Sequence, residues 1–552
     1  MNIIDFAVFL TFTLGVSLFG CLFFRKGGSA DDFTSAGRSL PGWLVGMSIF
    51  ATYVSSISYI GYPGKAFAGN WNAFVFSLSI PIASFFAARY FVPFYRKGGA
   101  VSAYTFLEQR YGRWARVYAS ACYLLTQVAR MGSILYLLAV PMNILMGWNM
   151  HVVIVATSLA IIVYAMLGGI KAVIWTDAIQ GFILIGGALL SLAVLLWGMP
   201  EGPGQTFTMA WNAPGGNKFS LGSLGTSLTE STFWVCLVYG IFINLQNYGI
   251  DQNYVQRYHT AKDLKAARFS ALFGGWLAIP VSALFFLIGT SLYAYYATRP
   301  ELLPHSIAAH PDYVFPYFIA TALPVGLRGL LIASIFAAGM STVATSITSS
   351  ATIVVADYVR PLMPRISDRG AVRALRLASV GAGLLGIVVA VAMLSVQSII
   401  DAWWTLSSIF SGGMLGLFLL GYCVKRSGRV QALVGVACGV AVIAWISLAG
   451  VLRLPGPHLH EYLAIVLGTA AIFVVGFVLT PKSRPGRSLP AEHPRYPAGH
   501  RGGNVAAGHD GDEGVGKRHG VRGHGVDGLE TGRQESLALG HAAGYEPHGH
   551  AS

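Results

Sequence analysis

The sequence predicts an all-α, polytopic membrane protein of about thirteen spanning helices, and three observations carry that prediction. Of its 552 residues, 54% are hydrophobic and only 11% charged, where an ordinary soluble domain carries roughly 25% charged residues. The mean hydropathy is +0.59. The apolar residues gather into long runs, each near the roughly 20 residues a helix needs to cross the hydrocarbon core. A chain so poor in charge cannot cover itself with a solvated surface. Soluble enzymes and nucleic-acid binders are therefore excluded, and lipid is the expected solvent.

In chain order the candidate spans lie at about 3–24, 42–62, 73–95, 115–145, 152–168, 177–197, 231–250, 269–296, 324–356, 374–396, 402–424, 430–451 and 461–480. Span 1 has Asp5 before its apolar run and Arg25-Lys26 after it. That is the reverse of a cleavable signal, so span 1 reads as a retained helix. Loops after odd-numbered spans carry Arg25, Lys26 and Arg38, then Arg96, Lys97, Arg110, Arg113 and Arg116, then Lys171. The opposite side carries Lys65, Lys218, Arg299 and Arg453, with Arg328 at a helix mouth. Basic loops stay in the cytoplasm, which puts the N-terminus outside and the C-terminus inside. The net charge of +14 is read as this loop bias and not as a polyanion-binding surface. Cys21, Cys122, Cys236, Cys423 and Cys438 lie in apolar stretches with no CxxC and read as small core residues.

Residues 1–480 form the expected membrane domain. Residues 481–552 differ in kind: they are rich in Gly, Arg and Asp, hold eight of the 14 histidines and show almost no apolar periodicity. Such a segment cannot bury a core and is expected to be a disordered cytoplasmic tail. Weak metal binding by its spaced histidines stands against the plainer reading of a solvated tail.

Two spans are interrupted by polar runs. Span 2 contains Thr52-Tyr53-Val54-Ser55-Ser56-Ile57-Ser58, followed by Gly61 and Pro63-Gly64, and span 7 contains Asn244-Leu245-Gln246-Asn247-Tyr248-Gly249. Irregular polar backbone survives at bilayer depth only when it is buried in protein or lines a wet cavity. Two interruptions five spans apart fit an inverted five-plus-five repeat of spans 2–6 and 7–11.

Span 9 is dominated by small residues and hydroxyls from Ala337 to Ser350. That suits either close helix contact or a cation site, where Ser341 and Thr342 would face carbonyls freed by the break in span 2. Arg130, central in span 4, needs a partner at that depth. Its own helix offers Thr126, Gln127, Ser133 and Ile134 one turn away, so the partner is an acid on another helix, such as Asp177 or Asp251, or an anionic ligand. Asp177, at the start of span 6, is either an N-terminal cap or part of an ion site. His458-Leu459-His460-Glu461 suits a solvated loop better than a metal site. No nucleotide-binding, serine-hydrolase or zinc-protease motif occurs.

The runs Ile49-Phe50-Ala51-Thr52 with Ser55-Ser56-Ile57, Trp175-Thr176-Asp177-Ala178-Ile179-Gln180, Asp251-Gln252 with Val255-Gln256-Arg257, and the span 9 hydroxyl helix together resemble the sodium:solute symporter family. The likeness extends over about residues 3–480. It implies a LeuT-like inverted-repeat fold of thirteen helices in the plasma membrane, sodium as the coupling ion and a small organic solute as cargo. The family's sodium site falls on Ala51, Val54, Ala338, Ser341 and Thr342. A second sodium site, present in some members, falls on Asp177, Ser341, Ala344 and Thr345, and Ala344 stands where that site has a hydroxyl. The chain looks most like the bacterial sialic acid symporters, through Phe50-Ala51-Thr52, Pro63-Gly64-Lys65-Ala66, Pro93-Phe94-Tyr95-Arg96 and above all Arg130. In those proteins the arginine meets the sugar's carboxylate. The likeness therefore implies an anionic solute bound by Ser55, Ser58, Ser77 and Arg130, with sialic acid the leading candidate. Tyr53 stands where a small hydroxyl residue is expected and Ser77 where a glutamine is. A neutral solute such as a hexose or proline is the alternative, with Arg130 in a structural ion pair.

Overall fold

The computed structural model describes residues 2–23, 30–396, 399–448 and 459–481; the segment read as a tail lies outside them, apart from Pro481. Among the described residues the secondary structure is helical, with a single isolated bridge between Leu40 and Ala261. Eleven helices are long and apolar enough to cross a membrane, and the bent pair Gly42–Tyr53 and Ile57–Ala68 makes a twelfth span. The shorter apolar helix Leu463–Val478 occupies the place of the expected thirteenth.

Burial grades these helices from core to rim. In Leu327–Leu362, the hydroxyl-rich span, 94% of the most apolar window is buried, against 22% in Ile3–Cys21. Small side chains let neighbouring backbones approach it closely. It packs against Gly42–Tyr53, Arg113–Met146 and Met150–Trp197, so the hydroxyls are central and not lipid-facing. Helix Leu264–Ala297 closes on the broken span through glycine: a Cβ at Gly289 would lie 2.2 Å from the Pro63 carbonyl oxygen. Of the free cysteines, Cys236 is buried but Cys423 is exposed. An apolar stretch in a membrane helix can face lipid as easily as protein, so apolar neighbours do not place a cysteine in the core.

Span 2 breaks where its polar run predicts. The first half ends at Tyr53, Val54 is extended (φ −87°, ψ 103°), and the second half starts at Ile57, whose N–H donates to Ser55 Oγ at 3.2 Å. The two halves are bent by 55°. In span 7 the position of the break is corrected. Asn244–Gly249 stays helical within Phe233–Ile250, and the chain breaks at Asp251 (φ −72°, ψ 127°). Two local bonds explain this. The Asn244 amide donates to Ser79 Oγ at 2.9 Å, so it does not compete with its own helix, and Asp251 Oδ1 accepts from Asn253 N at 2.8 Å, capping the next helix, Gln252–Thr260.

Asp177 is also corrected: it does not cap a helix. Spans 5 and 6 join directly at Gly169 (φ 59°, ψ −163°) inside the continuous run Met150–Trp197, and Asp177 lies about two turns beyond that kink. The conformation at Gly169 is open to glycine alone, and a Cβ there would lie 3.0 Å from Phe33. The chain therefore turns without a loop, which carries Asp177 into the middle of a helix and away from its end.

Candidate functional site

Ser55 and Ser58 from the broken span, Arg130 from Arg113–Met146, and Trp403 and Trp404 from Ile399–Cys423 line one central cavity of about 50 Å³, together with Tyr53, Tyr62, Phe76, Tyr239 and Tyr254. That volume holds a few waters at most, so an organic solute requires the aromatic wall to move. Ser77 is fully buried but does not line the cavity; its neighbour Phe76 does. Tyr53 takes its place in the wall, stacked on Phe76 with ring centroids 6.5 Å apart.

Arg130 is 8% exposed. Its Nη2 donates to the Thr52 carbonyl at 2.6 Å, and its guanidinium lies 5.7 Å from the Trp403 ring centroid. None of the four ion pairs among the described residues involves it. Neither candidate acid pairs with it: Asp177 pairs with Arg257, and Asp251 takes the Asn253 N–H and, at 3.4 Å, the Gln127 amide.

At the break, the carbonyls of Ala51 and Val54 accept no backbone hydrogen bond among the described residues, as helix C-termini leave them. The helix that carries Ser341 and Thr342 packs against this broken span. Ser341 donates to Asp177 Oδ1 at 2.6 Å and Thr342 donates to the Ala338 carbonyl at 3.1 Å. With their protons directed elsewhere, both hydroxyl oxygens keep lone pairs for a hard cation. Ala51, Val54, Ala338, Ser341 and Thr342 are all buried.

Asp177 and Thr345 belong to a cluster built around Arg257, which Asp177 joins to Ser341. Arg257 Nη2 donates to Asp177 Oδ2 at 2.7 Å and to Thr345 Oγ1 at 2.6 Å. Its Nε donates to Ser48 Oγ at 2.7 Å and its Nη1 to the Asn253 carbonyl at 2.8 Å. Ser48 Oγ in turn donates to Asp177 Oδ2. Arg257 enters the sequence reading only through the Val255-Gln256-Arg257 likeness, with no role assigned, because the apolar run ends at Ile250. All nine residues of Gln252–Thr260 are buried. Tyr254, Val255 and Tyr258, spaced one turn apart among these polar residues, are the signal that could have marked the segment as a buried amphipathic helix.

Trp404 separates the central cavity from a wider one of about 600 Å³, whose wall includes Lys65, Asp401, Thr405, His460 and Glu461. Lys65 Nζ and Asp401 Oδ2 pair there at 2.8 Å. Tyr462 contacts Trp404 and Tyr239 with centroids 5.3 and 4.6 Å apart, completing an aromatic roof. His458 lies outside the described residues, and no three metal-ligating side chains cluster among the described ones.

The sodium:solute symporter family model matches residues 33–439. The sodium/sialic acid symporter NanT of Aliivibrio fischeri is 32% identical over 468 residues, covering 84% of this chain and 90% of its own. SiaT of Proteus mirabilis, also a sodium/sialic acid symporter, is 32% identical over 490 residues, covering 88% and 96%. A solved Na+-coupled sialic acid symporter, substrate-bound and outward-open, aligns with a TM-score of 0.81 at 31% identity, covering 88% of this chain and all of its own. The matched stretch contains both broken spans, Arg130 and the hydroxyl helix. The fold is thus an inverted five-plus-five repeat, the activity is sodium-coupled solute transport and not enzymatic catalysis, and the chain belongs to the sodium:solute symporter family.

Proposed function

We propose that this chain imports a carboxylate-bearing solute on an inward sodium gradient, with sialic acid the leading candidate. The observation that carries this reading is the unpaired Arg130 guanidinium in the wall of the central cavity. A buried guanidinium with no carboxylate in ion-pair contact among the described residues, Asp251 acting on it only from beyond that distance, is the group an anionic ligand completes, and it offers a planar fork matched to a carboxylate. Ser55 and Ser58 in the same wall supply hydroxyls for the polar remainder of the solute. The sialic acid substrates of NanT and SiaT carry a carboxylate, which supports the same choice. The neutral-solute alternative requires Arg130 in a structural ion pair, and among the described residues it has none.

Sodium and solute meet at one turn of chain. The sodium shell proposed here takes the Ala51 and Val54 carbonyls with Ala338, Ser341 and Thr342, while Arg130 holds the Thr52 carbonyl between them. An ion that fixes this turn also fixes the arginine, so each ligand favours the conformation the other needs. The basic loops support an orientation in the plasma membrane with the N-terminus outside and the C-terminus cytoplasmic. In that orientation the wide cavity above Trp404 opens outward and the solute enters past Lys65 and Asp401. The test is uptake of radiolabelled N-acetylneuraminate into proteoliposomes under a sodium or a potassium gradient, with a hexose and proline as neutral competitors. Sodium-dependent uptake of the acid supports the reading; uptake of a neutral solute with none of the acid overturns it.

A further inference from the structure

The wide cavity above Trp404 offers an acid a place of its own. Its volume of about 600 Å³ lies within the range of small-molecule sites, roughly 300–1,000 Å³, whereas the central cavity is too small for an organic solute. Among the described residues of its wall, Lys65 is the one lysine or arginine, and its Nζ meets Asp401 Oδ2 at 2.8 Å. The two side chains are 35% and 45% exposed. Water screens such a pair, so it holds weakly. An incoming carboxylate can replace Asp401 on the ammonium, one anion exchanged for another. The other ionisable groups of this wall are engaged: His460 Nδ1 accepts the Tyr462 N–H at 3.3 Å, and the Glu461 carboxylate accepts from the Thr405 hydroxyl.

The position of the pair gives that exchange a consequence. Ser58, Tyr62 and Lys65 recur at helical spacing along the outer half of the broken span, and Ser58 and Tyr62 line the central cavity. About two turns, roughly 10 Å, separate Lys65 from Ser58. Asp401 stands one turn before Trp404 on Ile399–Cys423, and Trp404 lines both cavities. The ion pair therefore ties the outer half of the broken span to the helix that carries the partition, and exchange for a solute carboxylate unties them. We infer that Lys65 is an entry site for the carboxylate of the solute: the acid displaces Asp401, releases the Trp404 partition and then passes inward to Arg130. This inference rests on the carboxylate reading and outward orientation given above.

The test is stopped-flow tryptophan fluorescence of the purified full-length protein mixed with N-acetylneuraminate at fixed sodium, with choline chloride varying the ionic strength. Wild type should associate faster at low ionic strength, as steering toward a charged rim requires. Lys65→Gln should lower the association rate about tenfold and remove most of its salt dependence, while Lys65→Arg keeps both. Asp401→Asn should raise the rate about threefold, because Lys65 then has no competing carboxylate, and dissociation should stay near wild type in all three. A pair that only holds the entrance shut is broken equally by Lys65→Gln and Asp401→Asn, so both would shift the rate in the same direction. That result, or an unmoved rate in Lys65→Gln, would overturn the entry site while leaving the carboxylate reading intact. Absence of any equilibrium binding of the acid to wild type would instead sink both together.

Discussion

Two arginines are buried in the middle of this membrane protein, and they are used in opposite ways. Arg257 donates from Nε, Nη1 and Nη2 to Ser48, Asn253, Asp177 and Thr345, and its carboxylate partner is as buried as itself. Arg130 donates to the Thr52 carbonyl, interacts with the Tyr254 hydroxyl and rests beside Trp403 at the edge of a cavity. The first is a closed account of charge that ties Gly42–Tyr53, Gln252–Thr260 and the hydroxyl helix together. The second is open and faces the space a solute must occupy. In the low-dielectric interior a charge is either matched by protein or waits for a ligand, and these two buried arginines illustrate the two cases.

The contrast can be broken most strongly at the closed pair. Asp177→Leu strands the Arg257 charge and should destabilise the protein by about 3–5 kcal/mol, whereas the double variant Asp177→Leu with Arg257→Met should recover much of that loss. Thermal unfolding in detergent reads both, and a wild-type melting temperature for Asp177→Leu would show that the pair holds nothing together. At the open arginine the effects should be reversed. Arg130→Ala and Arg130→Lys should fold normally yet lose at least about 100-fold in affinity for the acidic solute, roughly 2.7 kcal/mol. Equilibrium binding of N-acetylneuraminate measures this. A well-folded Arg130→Ala protein with unchanged affinity would remove the carboxylate from the account.

A smaller effect is expected at the turn that both ligands share. Thr342→Ala removes one oxygen of the proposed sodium shell and should raise half-saturating sodium about tenfold, near 1.4 kcal/mol, with solute uptake restored at high sodium. Sodium titration of uptake checks it, and an unmoved midpoint would place the ion elsewhere. The smallest effect belongs to the C-terminal segment. Deleting residues 486–552, which lack any core-forming pattern, should leave sodium-driven uptake unchanged at equal membrane abundance. Loss of uptake there would assign the segment a role.

The sequence by itself determined the class of this protein, its spans, the break in span 2 and the hydroxyl helix. These follow from composition and from local runs, because lipid imposes a length and a polarity on every segment that crosses it. Arg130 is equally legible, since a lone charge in an apolar helix stands out from its neighbours. What only the tertiary structure decided is which acid meets which base. Asp177 and Arg257 lie 80 residues apart; the first carries a plausible local role as a helix cap, and the second stands out only as part of a family motif. The Gly169 kink carries Asp177 into mid-helix, and the Asp251 cap turns the chain into the buried segment that holds Arg257. Electrostatic partnership depends on distance through space, and a pattern along the chain holds no record of it until packing brings the two side chains to 2.7 Å.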